Sequence, residues 1–295
     1  PRQIAALEPH VRAIVVDIIE RAAGRGTFDL VTDVAVELPL QVIAELVGVP
    51  QEDRHRVFAW TERMMSNDDD DQAAVQADAQ VAVAEMFAYA DGLVASRVDG
   101  AGDDLLSVLL RADVDGAALT PFEVDVFFML LMNAGSETTR NLITGGMLAL
   151  FEHPDQRARL AADPGLLPTA IEEMLRWVTP VLHFRRTATA DCEIGGRRIA
   201  AGDKVVMWYS SANRDEAQFP DADHFDVGRT PNDHVAFGAG GPHFCLGASL
   251  ARLEARILFE ELLARVPGLT QAGDPVHLRS NFINGITSLP VGVTA

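Results

Sequence analysis

Apolar residues recur at helical spacing from the start of the chain. Ile4, Leu7, Val11, Ile14, Val15, Ile18 and Ile19 form one stripe, and Gly24-Arg25-Gly26 ends it. The same periodicity predicts helices over about 39–47, 51–65, 73–97 and 103–111. Between two of these lies NDDDDQ, Asn67 to Gln72, read as a solvated loop whose negative charge favours the start of the next helix. Thr120-Pro121-Phe122-Glu123 is a helix start: a Thr cap, Pro in the first helical position and an acid three residues after the Thr. That helix is predicted to run to about Phe151, and another to occupy about 168–178, each ending before a proline. From Arg186 to Val206 the text breaks into short segments punctuated by Gly195-Gly196 and Ala201-Gly202, the pattern of small strands. A last helix begins near Leu246 and ends before Pro267, and a short β-rich tail follows. No internal repeat and no linker divides the sequence. The pattern predicts one domain over 1–295, mainly α with a minor β-sheet.

Composition narrows the partners. The chain has 295 residues, 48% of them hydrophobic, enough for a large core, and 43 acidic against 24 basic side chains give a formal net charge of -19. Such a field repels nucleic acid and anionic membrane, so neither is expected as a partner. The most apolar run, VFFMLLMNAG from Val126 to Gly135, is short of the roughly 20 residues a bilayer span needs. Ser136, Glu137 and Arg140 follow it at once, which suits a buried core helix. Two cysteines far apart, Cys192 and Cys245, make no disulfide framework, and a reducing cytoplasm is the expected location. The chain opens in a helical pattern rather than a signal peptide, and on Pro1 rather than Met, so a piece of a longer chain is expected.

FGAGGPHFCLGASLARLE, Phe237 to Glu254, sets Cys245 after a glycine-rich turn and before a helix. A thiol becomes a good ligand or nucleophile only as thiolate, which backbone N–H groups and a helix N-terminus stabilise. Gly238, Gly240 and Gly241 allow a tight turn, Pro242 stiffens it, and Phe237 is placed to shield the sulfur. The other reading of a lone cysteine is a buried, inert one. The loop lacks the ending of a phosphate cradle and the spacing of a dinucleotide fingerprint. His243 beside Cys245 is too little for zinc, and no His base for a protease is evident. An axial thiolate to haem iron asks one cysteine of the protein.

Phe237-Gly238-x-Gly240-x-x-His243-x-Cys245-x-Gly247 resembles the haem-ligand signature of the cytochrome P-450 monooxygenases. Two further stretches resemble that family in the expected order. In AIEEMLRW, Glu173 and Arg176 share a helix face. Alone they read as an exposed salt bridge; the resemblance implies a buried pair joined by Arg229 from FDVGRTPNDH, serving to fix the cysteine loop. In NAGSETTR, small Ala134 and Gly135 precede Glu137 and Thr138. Alone this reads as a packing notch and a polar exit from the core. The resemblance implies room for dioxygen, a Thr hydroxyl bonded one turn back, and an acid–alcohol proton relay.

The resemblance implies haem b held by Cys245 as its metal ligand, with His243 and Arg186 on the propionates and adjacent Arg185 a lesser candidate. It also implies hydroxylation of an unactivated C–H with O2 and two electrons from a ferredoxin or flavodoxin-like donor. Arg252 and Arg256, behind Cys245, are either docking charges for that donor or solvated ones. GGPHFCLGASLARLE and SNFINGITSLPV are similar to actinobacterial members that act on terminal methyl groups of branched lipids, sterol side chains or isoprenoids, so the substrate is expected to be a small apolar molecule. Met129, Leu130, Val181, Leu182, Phe282 and Ile283 are pocket candidates by position, all apolar, and core packing is the commoner role for any one such residue. Family members carry further helices before the point matching Pro1, so the expectation is a domain incomplete at its N-terminus that holds haem weakly or not at all. A haem-thiolate protein without turnover, or an inactive helical fragment, is the alternative.

Overall fold

A computed structural model describes residues 2–65, 72–97 and 102–293. The acidic run Asn67–Asp71 lies outside them. In chain order come α1 (Arg2–Ala6), α2 (Glu8–Ala23), β1 (Thr27–Asp29), a π-helical turn (Val31–Ala35), α3 (Glu37–Val47), α4 (Arg54–Met65) and α5 (Gln72–Ala95). Then follow α6 (Leu105–Leu110), β2 (Asp113–Val114), β3 (Ala117–Ala118), α7 (Pro121–Glu152), α8 (Pro154–Ala162) and α9 (Leu167–Val178). The rest is β4 (His183–Thr187), β5 (Cys192–Ile194), β6 (Arg197–Ile199), β7 (Lys204–Trp208), α10 (Tyr209–Ala212), α11 (Ala248–Arg265) and β8 (Leu269–Gln271), β9 (Val276–His277), β10 (Ile286–Ser288), β11 (Pro290–Val293).

The Thr120 signal acts as a capping box. Glu123 N–H donates to Thr120 Oγ1 at 3.3 Å, and Thr120 N–H donates to Glu123 Oε2 at 2.7 Å. Two orphan donors are thereby satisfied at the start of the 32-residue α7. α7 is the axis of the core, packed against α3, α4, α5, α9 and α11. Its crossing with α9 is close: a side-chain carbon on Gly145 would lie 2.8 Å from the Val178 methyls. Phe128, Met132 and Ile143 of α7 are buried with Ile171 and Met174 of α9 and Ile257, Leu258 and Phe259 of α11.

The β content is minor, as expected, and divided into several small sheets. Among the described residues it is one three-stranded sheet, β1-β11-β8, and four two-stranded pairs, all antiparallel. In the three-stranded sheet Phe28 faces Val291 and Asp29 faces Pro290, joining the first strand to the last. β4 pairs with β7 from His183↔Trp208 to Thr187↔Lys204. The β5–β6 hairpin turns through Gly195 and Gly196 at φ 59 and 75, the left-handed pair that a two-residue turn demands. α6 is shorter than the predicted 103–111, mainly because Asp104 caps its start, its side chain accepting the Ser107 N–H at 2.9 Å; a second hairpin, β2–β3, follows through Asp115-Gly116. The last helix starts at Ala248, two residues later than expected, because the cysteine turn runs on through Gly247.

Candidate active site around Cys245

Gly238, Gly240 and Gly241 all take positive φ, +87, +95 and +78, which L side chains rarely adopt. The turn they make brings the Cys245 N–H to the Phe237 carbonyl at 3.0 Å. The sulfur accepts backbone N–H groups from Gly247 and Ala248, the first residues of the α11 terminus. Cys245 as a residue is exposed, so the inert, buried alternative does not hold. The sulfur itself is half-enclosed by its loop. That enclosure pushes the thiol up, and the Gly247 N–H, the Arg252 charge and the Ala248 N–H only oppose it. The loop thus supplies donors for the anion, set against the desolvation of the sulfur.

Behind the loop lies a saturated ion-pair cluster. Glu173 and Arg176 are fully buried and bidentate, with Arg176 Nε to Oε2 at 2.8 Å and Nη2 to Oε1 at 2.7 Å. Arg229 Nε donates to both Glu173 oxygens at 3.2 and 3.1 Å, and the Asp226 N–H adds a bond at 3.0 Å. Arg176 Nη1 reaches the carbonyls of Asn213 and Ala222, and Nη2 that of His224. Burying such charges is costly unless every donor and lone pair is used, and here they tie α9 to the loop before Cys245. Two members escaped sequence reading. Asn232 Nδ2 donates to Glu173 Oε2 at 3.1 Å, and Asn213 Oδ1 accepts the Val235 N–H at 2.8 Å. An amide carries no charge pattern to betray it; only its place near the cysteine loop hints at a role.

On α7 the Thr138 hydroxyl donates to the Ala134 carbonyl at 2.8 Å, one turn back, and the half-buried side chain follows an exposed Ala134. Glu137 and Thr138 do not bond each other. The Glu137 carboxylate is buried against Arg140 Nη2 at 2.5 Å, with Oε1 left unpartnered. Arg140 also lies 3.5 Å from Glu62 of α4. Burial raises the Glu137 pKa, Arg140 lowers it and Glu62 raises it. Gly135 corrects an expectation: a side-chain carbon there would meet Ile43 Cγ1 of α3 at 2.6 Å. Its missing side chain is filled by a packed isoleucine, because α3 and α7 cross there, and not by open space.

The pocket candidates divide. Val181 bridges Ile283, Leu182 N–H donates to the Phe282 carbonyl at 2.8 Å, and Tyr209 N–H donates to that of Leu182 at 2.8 Å. Phe184 packs against Tyr209 and Phe282 with centroids 5.8 and 5.6 Å apart. A side-chain carbon on Gly238 would lie 3.9 Å from the Tyr209 hydroxyl, which sets the cysteine turn beside the residue that bonds Leu182. Met129 and Leu130 sit earlier on α7, Met129 packed on the core and Leu130 53% exposed. His243 is exposed, as are Arg185 and Arg186, whose only bond described is Arg186 Nη1 to the Arg185 carbonyl. Arg252 and Arg256 are neither free nor merely solvated: Arg252 is bidentate to Glu172, and Arg256 pairs with Glu8 and Glu260.

The donor set fits haem iron. One soft sulfur with two N–H donors at a helix terminus suits an anionic axial ligand. Beside it Gly240 and Gly241 face open space, Phe244 and Leu246 are 47% and 83% exposed, and His243 and Arg186 keep unengaged faces. Among the described residues no cluster of three or more His, Cys, Asp or Glu side chains is arranged to hold a metal ion instead. A buried network behind a lone sulfur and a hydroxyl-notched central helix define a haem-thiolate protein.

The cytochrome P-450 family model matches residues 165–288. The chain is 46% identical over 99% of its length to the "Methyl-branched lipid omega-hydroxylase" of Mycobacterium tuberculosis, covering 69% of that protein. It is 45% identical over 99% to the "Steroid C26-monooxygenase" of Rhodococcus jostii, covering 61%. A Mycobacterium marinum cytochrome P-450 solved with pseudoionone superposes with a TM-score of 0.94 at 42% identity, covering 99% of this chain and 72% of that one. The chain belongs to the cytochrome P-450 family, whose members are haem-thiolate monooxygenases, and it spans 61–69% of the length of these two curated relatives. No helix among the described residues is long and apolar enough to cross a membrane.

Proposed function

We propose that residues 1–295 carry the haem-thiolate centre of a monooxygenase domain that hydroxylates a terminal C–H of an apolar, branched substrate such as a methyl-branched lipid or a sterol side chain. The observation that carries it is the Cys245 sulfur, accepting two N–H groups at the start of α11 on a loop braced by the Glu173 cluster. Cys245 would hold haem b as axial ligand, with His243 and Arg186 as propionate donors. When bound, the haem supplies the reductive activation of O2, and its thiolate ligand favours O–O cleavage.

The chain's own part is placement and proton handling. The Glu173–Arg176–Arg229 cluster holds the ligand loop rigid, so that Cys245 enters the site in one orientation. Thr138 Oγ1, parked on the Ala134 carbonyl, is a hydroxyl able to pass a proton towards oxygen and reset on the same carbonyl. Glu137, with an unpartnered Oε1 and a raised pKa, is suited to hold the proton that Thr138 receives, and swinging off Arg140 would bring it there. Val181, Leu182, Phe282 and Ile283 offer apolar contacts to the substrate, with Met129 and Leu130 from α7. Electrons come from a ferredoxin or flavodoxin-like protein, in the cytoplasm. The names of the relatives support the substrate class, one being a methyl-branched lipid omega-hydroxylase and the other a steroid C26-monooxygenase.

Reduced, carbon-monoxide-bound spectra of the haem-loaded protein test the ligand: the thiolate band is expected in wild type and absent in Cys245→Ser. Turnover with a surrogate redox system is expected to yield ω-hydroxylated methyl-branched fatty acid or steroid, with Thr138→Ala diverting most reducing equivalents to peroxide. An unchanged band in Cys245→Ser, or spectral binding only of polar macrolides, would sink the reading.

A further inference from the structure

The residue beside the buried Glu173 has a network of its own. Glu172 accepts from Arg252 through two parallel bonds of 2.7 Å, Nε to Oε1 and Nη2 to Oε2. Its Oε2 is also 3.0 Å from His234 Nε2. The other ring nitrogen of His234 accepts the Ala236 N–H at 3.2 Å, so Nε2 carries the proton and donates to the carboxylate. The His234 side chain is 3% exposed, which makes this pairing part of the interior. The Arg252 guanidinium lies over the Phe237 ring, 4.6 Å from its centroid, and the Phe237 carbonyl is the one that accepts the Cys245 N–H. Contacts thus run unbroken from α9, through α11 and the loop, to the backbone of the cysteine.

Charge follows the same route. Burial works against the Glu172 carboxylate, yet hydrogen bonds from Arg252 and His234 hold it at about 2, so it is anionic at neutral pH. Arg252 acts electrostatically on Cys245, and the Glu172 charge sits directly on Arg252. We infer that Glu172 is a positioning residue for the cysteine ligand: it clamps His234 and Arg252 behind the loop and neutralises the cation that acts on the sulfur. The inference rests on the reading of Cys245 as the iron ligand, and it deepens it: the first acid of the EE pair tunes the ligand while the second braces the loop.

Two measurements test it. Amide hydrogen exchange on the cofactor-free chain follows the Ala236 and Cys245 amides in Glu172→Gln. Both are expected to exchange about tenfold faster, while the Asp226 amide, held by Glu173, stays as in wild type. Unchanged protection at Ala236 and Cys245 would overturn the clamp. The midpoint reduction potential of the haem-loaded protein tests the charge. Glu172→Gln leaves Arg252 uncompensated and is expected to move the potential positive; Arg252→Gln moves it negative; the double variant returns close to wild type. Two single variants that shift the same way, or a double variant worse than either, would mean that Glu172 only packs. Glu172→Asp, keeping the charge, is expected to keep the wild-type potential, which separates charge loss from misfolding. A wild type without a thiolate spectrum would overturn the proposed function, while the exchange measurement still decides the clamp.

Discussion

Glu254 is the most unusual single side chain in the interior. It lies on α11 with 1% exposure, its Oε2 has no partner, and burial pushes its pKa from 4.5 to about 8. A carboxyl whose folded pKa exceeds its unfolded value stabilises the fold fully below about 4.5 and loses that contribution as pH climbs to about 8. Glu254→Gln is neutral throughout, so the variant is expected to gain on wild type by on the order of 3 kcal/mol between pH 5 and pH 8 in urea melts. A pH-independent difference would mean the carboxyl finds a partner. Glu173 is the opposite case, a buried charge with every lone pair used. Glu173→Gln strands two arginines and is expected to cost about 3–5 kcal/mol in the same melts. Residue by residue, the charged types at short spacing, Glu173 with Arg176 and Cys245 with its glycines, were legible in the sequence. Asn232, His234 and the Glu172–Arg252 pair were not, because their partners lie 59 to 80 residues away and nothing local marks them.

Helices declared themselves best where their ends carry chemistry. The capping box of α7 was readable because its two members are three residues apart, and Thr120→Ala is expected to cost about 1 kcal/mol, read as a lower midpoint of thermal unfolding. The Asp115-Gly116 turn carried an equally local signal, a dipeptide suited to left-handed φ, but the strands it joins are only two residues each, too short to show an alternating pattern. What sequence could not reveal was the neighbour of Gly135. A small residue in a helix suits either a cavity or a crossing, and only the packed structure names Ile43 as its occupant. Gly135→Val drives a branched side chain into that isoleucine and is expected to destabilise by about 1–3 kcal/mol, with Ile43→Ala recovering part of the loss. If Gly135→Val instead leaves the melt untouched, α3 does not bear on α7 at that point.

At the scale of the molecule, the central α7 and the strand pairs around residues 181–208 and 276–288 organise one connected neighbourhood. Val181, Leu182, Phe282 and Ile283 meet there although they are about 100 residues apart. Several ion pairs join distant elements, such as Arg12 with Glu260 and Glu261 and Arg265 with Glu20. Most are partly exposed, so raising salt is expected to shift the thermal midpoint by only a few degrees.

The three-stranded sheet has a bearing on biosynthesis. Its middle strand, Pro290–Val293, is made after both of its partners, yet Thr27–Asp29 and Leu269–Gln271 both hang on it, and the Leu30 N–H waits for the Leu289 carbonyl. A ribosome must therefore release residues 290–293 before residues 27–29 have a strand to zip onto. Until that moment, the emerging polypeptide keeps the backbone groups near residue 28 unpaired.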